Sequence, residues 1–234
     1  MRAAWLPRWL EAPPSRCAVC GAWPAHALCG TCAGAFATPQ HRCRLCALPL
    51  HESATVCGAC LRDPPPLDAC FAAVPYAYPW SSLVGRFKFG GEPGWADALA
   101  RRMALVPGVA QEIAQADLVL PLPLAPRRLA ERGFNQALLL ARGLAPRRTD
   151  ARLLLRVRET GSQATLDRKS RSLNVRHAFG VEPLRAQDVA GRAVLLVDDV
   201  MTSGASLHSA AQALRQAGAR RIAALVLART DEPQ

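Results

Sequence analysis

VLLVDDVMTSGAS, residues 194–206, holds an apolar run that ends in two adjacent acids, Asp198 and Asp199. A short Thr/Ser/Gly loop follows, and then a helical pattern, SLHSAAQALRQAG (206–218), that stops at Gly218. RAVLLVDD (192–199) reads as a buried strand and RRIAALVLA (220–228) as another. Strand, helix and strand in that order make a βαβ unit. Continuous apolar strands belong to a parallel sheet covered on both faces. In such a sheet, ligands bind outside the carboxyl ends of the strands, which is where the two acids fall. Amides of the loop and of the helix N-terminus suit a phosphate, and Gly204 lets the backbone approach it closely. Thr202, Ser203 and Ser206 add hydroxyls. Acids beside a phosphate cradle suit a ligand that carries both hydroxyls and phosphate, as a ribose 5-phosphate does. Walker-type and dinucleotide loops are excluded, because neither G-x-x-x-x-G-K-[ST] nor G-x-G-x-x-G after a strand is present.

Moving upstream, ARLLLRVR (151–158) is strand-like, and the polar stretch 159–179 reads as a loop closing into a short element. NQALLLARGL (135–144) predicts a helix capped by Asn135. DLVLPLP (117–123) predicts a strand, followed by an arginine-rich loop. WADALARRMALV (95–106) predicts a helix, and AVPYAY (73–78) a strand. SSLVGRFKF (81–89) ends at the break Gly90-Gly91. RDPPPLD (62–68) is a proline-rich linker. The organisation read from this pattern is an arm (1–16), a cysteine-rich module (17–62), a linker (63–70) and an α/β domain (71–234).

The module contains eight of the nine cysteines, in four C-x-x-C pairs: Cys17/Cys20, Cys29/Cys32, Cys43/Cys46 and Cys57/Cys60. A segment this short cannot bury enough apolar surface to fold alone. No run of about 18 apolar residues is present, as a spanning helix needs. Pro7, Arg8 and Glu11 interrupt the first residues too early for a signal peptide. The expected compartment is therefore the cytoplasm, where thiols stay reduced and metal binding replaces disulfides. Two four-cysteine zinc sites follow. The simplest pairing joins 17/20 with 29/32 and 43/46 with 57/60, and a crossed pairing remains open at this point. Cys70 is expected in the core.

The net charge is +11, and lysine occurs only at Lys88 and Lys169. Residues 1–70 carry six Arg and four acids, so most of the positive balance belongs to the second domain. Such a balance suits a polyphosphate ligand or single-stranded nucleic acid. At 6% aromatic residues, an extended base-stacking platform is not supported.

VLLVDDVMTSGAS resembles the phosphoribosyl pyrophosphate (PRPP) motif of type I phosphoribosyltransferases. From about Cys17 to Leu227 the chain resembles the ComF family, competence protein F and its relatives. The likeness extends to the paired cysteines, to RFKFGG (86–91) and to PLPLAPRRLAERGFNQ (121–136). It also covers the run from Arg158 through Gln163, Arg168, Arg171 and Asn174 to Phe179. The resemblance implies a phosphoribosyltransferase-like parallel sheet flanked by helices and preceded by a double zinc ribbon. It implies that Asp198 and Asp199 hold ribose hydroxyls. Thr202, Ser203, Gly204, Ala205 and Ser206 would hold the 5-phosphate, the 121–128 loop pyrophosphate, and the 159–176 segment would close over the site. Position 202 is Thr where oxopurine transferases carry an acid, which argues against an oxopurine acceptor.

The implied chemistry displaces pyrophosphate from C1 of PRPP through an oxocarbenium-like state. Arg127, Arg128, Arg132, Lys169, Arg171 and Lys88 are the cations available to offset charge on phosphate groups. Mg²⁺ would travel with PRPP, since it keeps substrate phosphates as ligands. The family also implies a role in DNA uptake, with single-stranded DNA and the uptake machinery as partners. A phosphoribosyl transferase, a nucleic-acid-binding competence factor and a PRPP-sensing regulator are the competing functions.

Overall fold

A computed structural model describes residues 15–51, 53–157 and 178–231. The chain divides into two compact units, Met1–Thr38 and Pro39–Gln234. In the first, a turn at Cys17–Cys20 is followed by helix α1 (Gly30–Phe36). Cys29 caps α1, its sulfur accepting from the Cys32 amide.

The second unit is built on a four-stranded parallel sheet of order β1-β6-β5-β2. Its strands are β1 (Ala69–Pro75), β2 (Leu118–Pro121), β5 (Ala193–Met201) and β6 (Arg221–Arg229). A separate antiparallel pair joins β3 (Leu154–Arg156) to β4 (Phe179–Val181). The helices are α2 (Gly58–Arg62), α3 (Trp80–Phe89), α4 (Ala96–Ala104), α5 (Val109–Gln115), α6 (Pro126–Arg132), α7 (Gln136–Leu144) and α8 (Ala205–Gln216). This is the expected α/β architecture with a parallel sheet flanked by helices.

Every residue from Ile222 to Ala228 is 0% exposed, which requires cover on both faces of β6. On one face α4 and α7 pack together and against the sheet. Their axes approach closely at Gly143, where a Cβ would lie 2.7 Å from that of Ala100. On the other face Val194, Leu196, Ile222, Ala224 and Val226 share one apolar cluster with Leu207, Ala210 and Leu214 of α8. Phe179 and the cysteines Cys43, Cys46 and Cys60 belong to the same cluster. Each large aliphatic side chain so buried contributes about 1.5–3 kcal/mol. The second cysteine group thus packs with the sheet, although the sequence shows it as one half of a repeated pattern.

Several elements differ from the sequence reading. Strand β5 continues two residues past the acids, because Val200 and Met201 still pair with Ala228 and Arg229. β1 begins at Ala69, inside the stretch read as linker, and ends before the tyrosines of AVPYAY. The arginine-rich segment after β2 is helical: Pro126 fits the first turn and Gly133, at φ +77°, ends it. Helix α7 has the expected Asn135 cap, whose side chain accepts from the Leu138 amide at 3.2 Å. Among the described residues no helix is long and apolar enough to cross a membrane.

Candidate functional site

All four strands of the sheet point their carboxyl ends the same way, so Pro75, Pro121, Met201 and Arg229 lie at one end. Asp198 and Asp199 sit in the last turn-ward residues of β5, opposite Val226 and its neighbours. Alternation along the strand sends the two side chains to opposite faces. Asp199 is buried and Asp198 half-buried. The Asp199 amide donates to Asp198 Oδ1 at 2.8 Å.

Thr202 and Ser203 are exposed, Gly204 is buried, and Ala205 and Ser206 are half-buried at the start of α8. Gly204 has φ +80°, and a Cβ there would lie 2.5 Å from Met201 Cε and 2.9 Å from His208 Nε2. Glycine is therefore required both by conformation and by space. Lacking a side chain, it leaves the helix N-terminus without a side-chain cap from its own position. Ser203 Oγ accepts weakly from the Ala205 amide at 3.4 Å. The positive end of a twelve-residue helix thus follows within a few residues of two carboxyls.

Helix α3 buries Trp80, Leu83, Val84 and Phe87 along one stripe. Its last turn carries Lys88 back to the acids, with Nζ 2.8 Å from Asp199 Oδ1; the two side chains are only 16% and 10% exposed. Burial, and after it the charge of Asp199, push the Asp198 carboxyl up to about 7, against the pull of Lys88, the Asp199 amide and Arg132. Burial lowers the Arg132 guanidinium, while Asp199 and Asp198 act to raise it. Arg132 donates to Gln136 Oε1 at 3.1 Å and lies over the Phe89 ring at 4.9 Å.

Of the sequence-derived candidates, Asp198, Asp199, Lys88, Arg132 and the 202–206 loop come together. Arg127 lies on the surface, paired with Glu131 one turn along α6, and Arg128 is exposed beside it. Asn135 Nδ2 donates to the Leu122 carbonyl at 3.0 Å, tying the start of α7 to the loop after β2. Lys169 and Arg171, with the rest of 158–177, lie outside the described residues.

The eight paired cysteines form two groups, Cys17/Cys20/Cys29/Cys32 and Cys43/Cys46/Cys57/Cys60, each with its sulfurs within 4.8 Å of one another. The grouping is sequential, not crossed. Sγ atoms of Cys20 and Cys29 are 3.8 Å apart, and those of Cys46 and Cys57 3.6 Å. A zinc tetrahedron with bonds of about 2.3 Å has edges of about 3.8 Å, so the donor sets fit that ion. Amides reinforce both groups: Cys29 N donates to Cys17 Sγ at 3.4 Å and Cys57 N to Cys43 Sγ at 3.3 Å. Burial acts to raise the Cys17 and Cys43 thiols, but amide donors outweigh it and bring them down to about 6 and about 7. Amide donation thus favours the thiolate form in each group, and both could hold zinc. Cys70 is buried, as expected, with its sulfur 3.7 Å from Met201 Sδ.

One residue at this end escaped the sequence reading. Arg229, 2% exposed, donates from Nε to the Cys46 carbonyl at 3.0 Å. Its Nη1 donates to Met201 O at 3.3 Å, Thr230 O at 2.7 Å and Thr230 Oγ1 at 3.1 Å. The signal was an arginine closing a central strand that is apolar from Ile222 to Ala228.

A parallel sheet with an acidic strand end and a Gly-containing phosphate-type loop defines a phosphoribosyltransferase-type domain, and residues 130–234 match the phosphoribosyl transferase domain family. The DNA utilization protein YhgH of Escherichia coli K12 is 34% identical over 209 residues, covering 87% of this chain and 90% of that protein. Competence protein F of Haemophilus influenzae is 35% identical over 195 residues, covering 80% and 84%. Competence protein ComFC of Bacillus subtilis is 30% identical over 184 residues, covering 76% and 73%. The chain belongs to the ComF family of competence-related proteins.

Proposed function

We propose that this protein binds a phosphoribosyl pyrophosphate-type ligand at the carboxyl end of β5, in the service of DNA uptake or utilisation. The observation that carries the reading is the junction of Asp198 and Asp199 with the Gly204 loop and α8. The acids would take the ribose hydroxyls, and the 202–206 amides and hydroxyls the 5-phosphate. Lys88 and Arg132 keep two adjacent carboxyls from repelling an anionic ligand. Mg²⁺ would arrive on the pyrophosphate. Each four-cysteine group holds one zinc ion, and such thiol-rich sites suit the cytoplasm.

The names of the relatives support the DNA connection, and the charge of +11 supports an electrostatic component to it. The candidates for shared contacts with single-stranded DNA are Arg127 and Arg128, with Arg168, Lys169 and Arg171. Calorimetric titration with PRPP and Mg²⁺ tests the reading. Asp199→Asn should weaken PRPP by about tenfold to a hundredfold, the worth of one charged hydrogen bond. Unchanged affinity in both Asp198→Asn and Asp199→Asn overturns it. The same sample, mixed with single-stranded DNA, should lose the DNA as PRPP saturates. Release of pyrophosphate with an added acceptor would assign transferase activity.

A further inference from the structure

Arg229 is a buried cation with no carboxylate in ion-pair reach among the described residues. Such a charge is costly unless its donors are filled and an opposite charge lies near. Its Nε and Nη1 donate to carbonyls and to the Thr230 hydroxyl, one of the carbonyls being that of Cys46, a member of the second cysteine group. A second guanidinium points at the same knuckle: Arg42 Nη1 donates to Ala47 O at 2.9 Å. Four thiolates around one Zn²⁺ carry a net charge of about −2. The two cations therefore face a local charge that offsets them, and Arg42 is also under the charge of Asp231.

The other end of the Arg229 fork holds Met201 O, directly before the phosphate-type loop. The Met201 side chain is held as well, against Cys70 Sγ and beneath Gly204. We propose that Arg229 is a positioning residue that couples metal occupancy of the Cys43/Cys46/Cys57/Cys60 site to the shape of the 202–206 loop. Loss of metal frees the Cys46 carbonyl. Arg229 then keeps its charge without its counter-charge and swings toward solvent. Met201 O then keeps only the Thr230 amide, which donates to it at 3.2 Å, and the floor under the loop loosens. The first cysteine group lies in the other compact unit and serves as an internal control.

The inference rests on metal binding by the second group and needs no ribose phosphate, so it can fail without the proposed ligand failing. The experiment uses the full chain loaded with zinc, a chromophoric chelator to follow zinc release, and amide hydrogen exchange. Cys20→Ser identifies the release phase that belongs to the first group. In Arg229→Met, zinc at the second group should leave about tenfold to a hundredfold faster, as when other outer-shell partners are removed, with the first-group phase unchanged. Exchange at 201–206 should rise, while 119–121 and 222–227 stay protected. Arg229→Lys, which keeps the charge but not the fork, should restore part of both effects. If Arg229→Met does not fold, the unaltered protein decides: removing its second zinc should raise exchange at 201–206 ahead of the sheet. Unchanged loop exchange on zinc removal overturns the coupling. Loop exchange that rises only together with the sheet also overturns it, because that is unfolding.

Discussion

Asp198→Asn should stabilise the ligand-free protein at neutral pH even as it weakens the ligand. Burial first, and then the Asp199 charge, hold the Asp198 carboxyl at about 7 in the folded chain. In the unfolded chain the same group titrates near 4. Between about pH 4 and pH 7 the folded protein therefore keeps a proton that the unfolded chain has lost. The stability this proton confers is complete below about pH 4 and is lost as pH rises through about 7. A change in acidity of roughly a thousandfold corresponds to at most about 4 kcal/mol. Partial exposure of the side chain brings the expected figure to about 2–4 kcal/mol.

Asparagine keeps the shape and can still accept from the Asp199 amide, but it never ionises. Urea unfolding of both proteins from about pH 4 to pH 8 gives a difference curve in which groups that titrate alike cancel. The variant should gain stability over the parent steadily up to about pH 7 and hold a gain of about 2–4 kcal/mol at pH 8. A difference that does not change with pH refutes the argument, because it means that Asp198 is already ionised at pH 5. A variant less stable at pH 8 than at pH 4, relative to the parent, refutes it as well.

Lys88→Met leaves Asp199 without the cation 2.8 Å away, in a pair whose side chains are 16% and 10% exposed. Stability should fall by about 3–5 kcal/mol at pH 8, and by less at pH 6, where Asp198 more readily takes a proton. Denaturant titration at the two pH values checks both the size and the sign. At the far end of β6, Arg221 grips Glu112 with two hydrogen bonds of 2.8 and 2.9 Å, and Glu112 is 8% exposed. Glu112→Gln should lower stability by about 2–3 kcal/mol in a thermal melt while leaving PRPP affinity unchanged, since this pair lies at the opposite, amino end of the strands.

What the sequence made legible was local. The apolar run before Asp198, the Gly204 loop, the helix to Gly218 and the Asn135 cap are each set by neighbours within a few residues, and all appear in the fold. Contacts between distant parts of the chain were not legible. Lys88 and Asp199 are 111 positions apart, and Arg229 and Cys46 are 183 apart. Periodicity says that Lys88 ends an element, but only tertiary packing aims it at an acid. Helix α6 was hidden by its own composition: prolines and arginines suggested a loop, yet Pro126 is compatible with a first helical turn. The two cysteine groups look alike in sequence, and their different surroundings come from which apolar surface each one meets.

The distribution of charge explains how one site can present two adjacent acids to an anionic ligand. Two carboxylates at the end of β5 would repel a phosphate brought to the loop a few residues on. Lys88 pairs with Asp199, and burial leaves Asp198 largely protonated below about pH 7. Arg132 adds its positive field from α6. The acids are thus close to neutral in the empty site, and the helix end and loop amides set the local potential. In the proposed complex, ribose hydroxyls donating to Asp199 would compete with Lys88 for the same oxygens. A ligand that carries its own divalent ion and phosphates gives Lys88 another anion to meet. With the proposed ligand, the lysine would hold the acids before binding and turn to the phosphates after it. On the proposed reading, a phosphate-free ribose would face the cost of displacing Lys88 with nothing to receive it, so the same ion pair would favour a phosphorylated ribose.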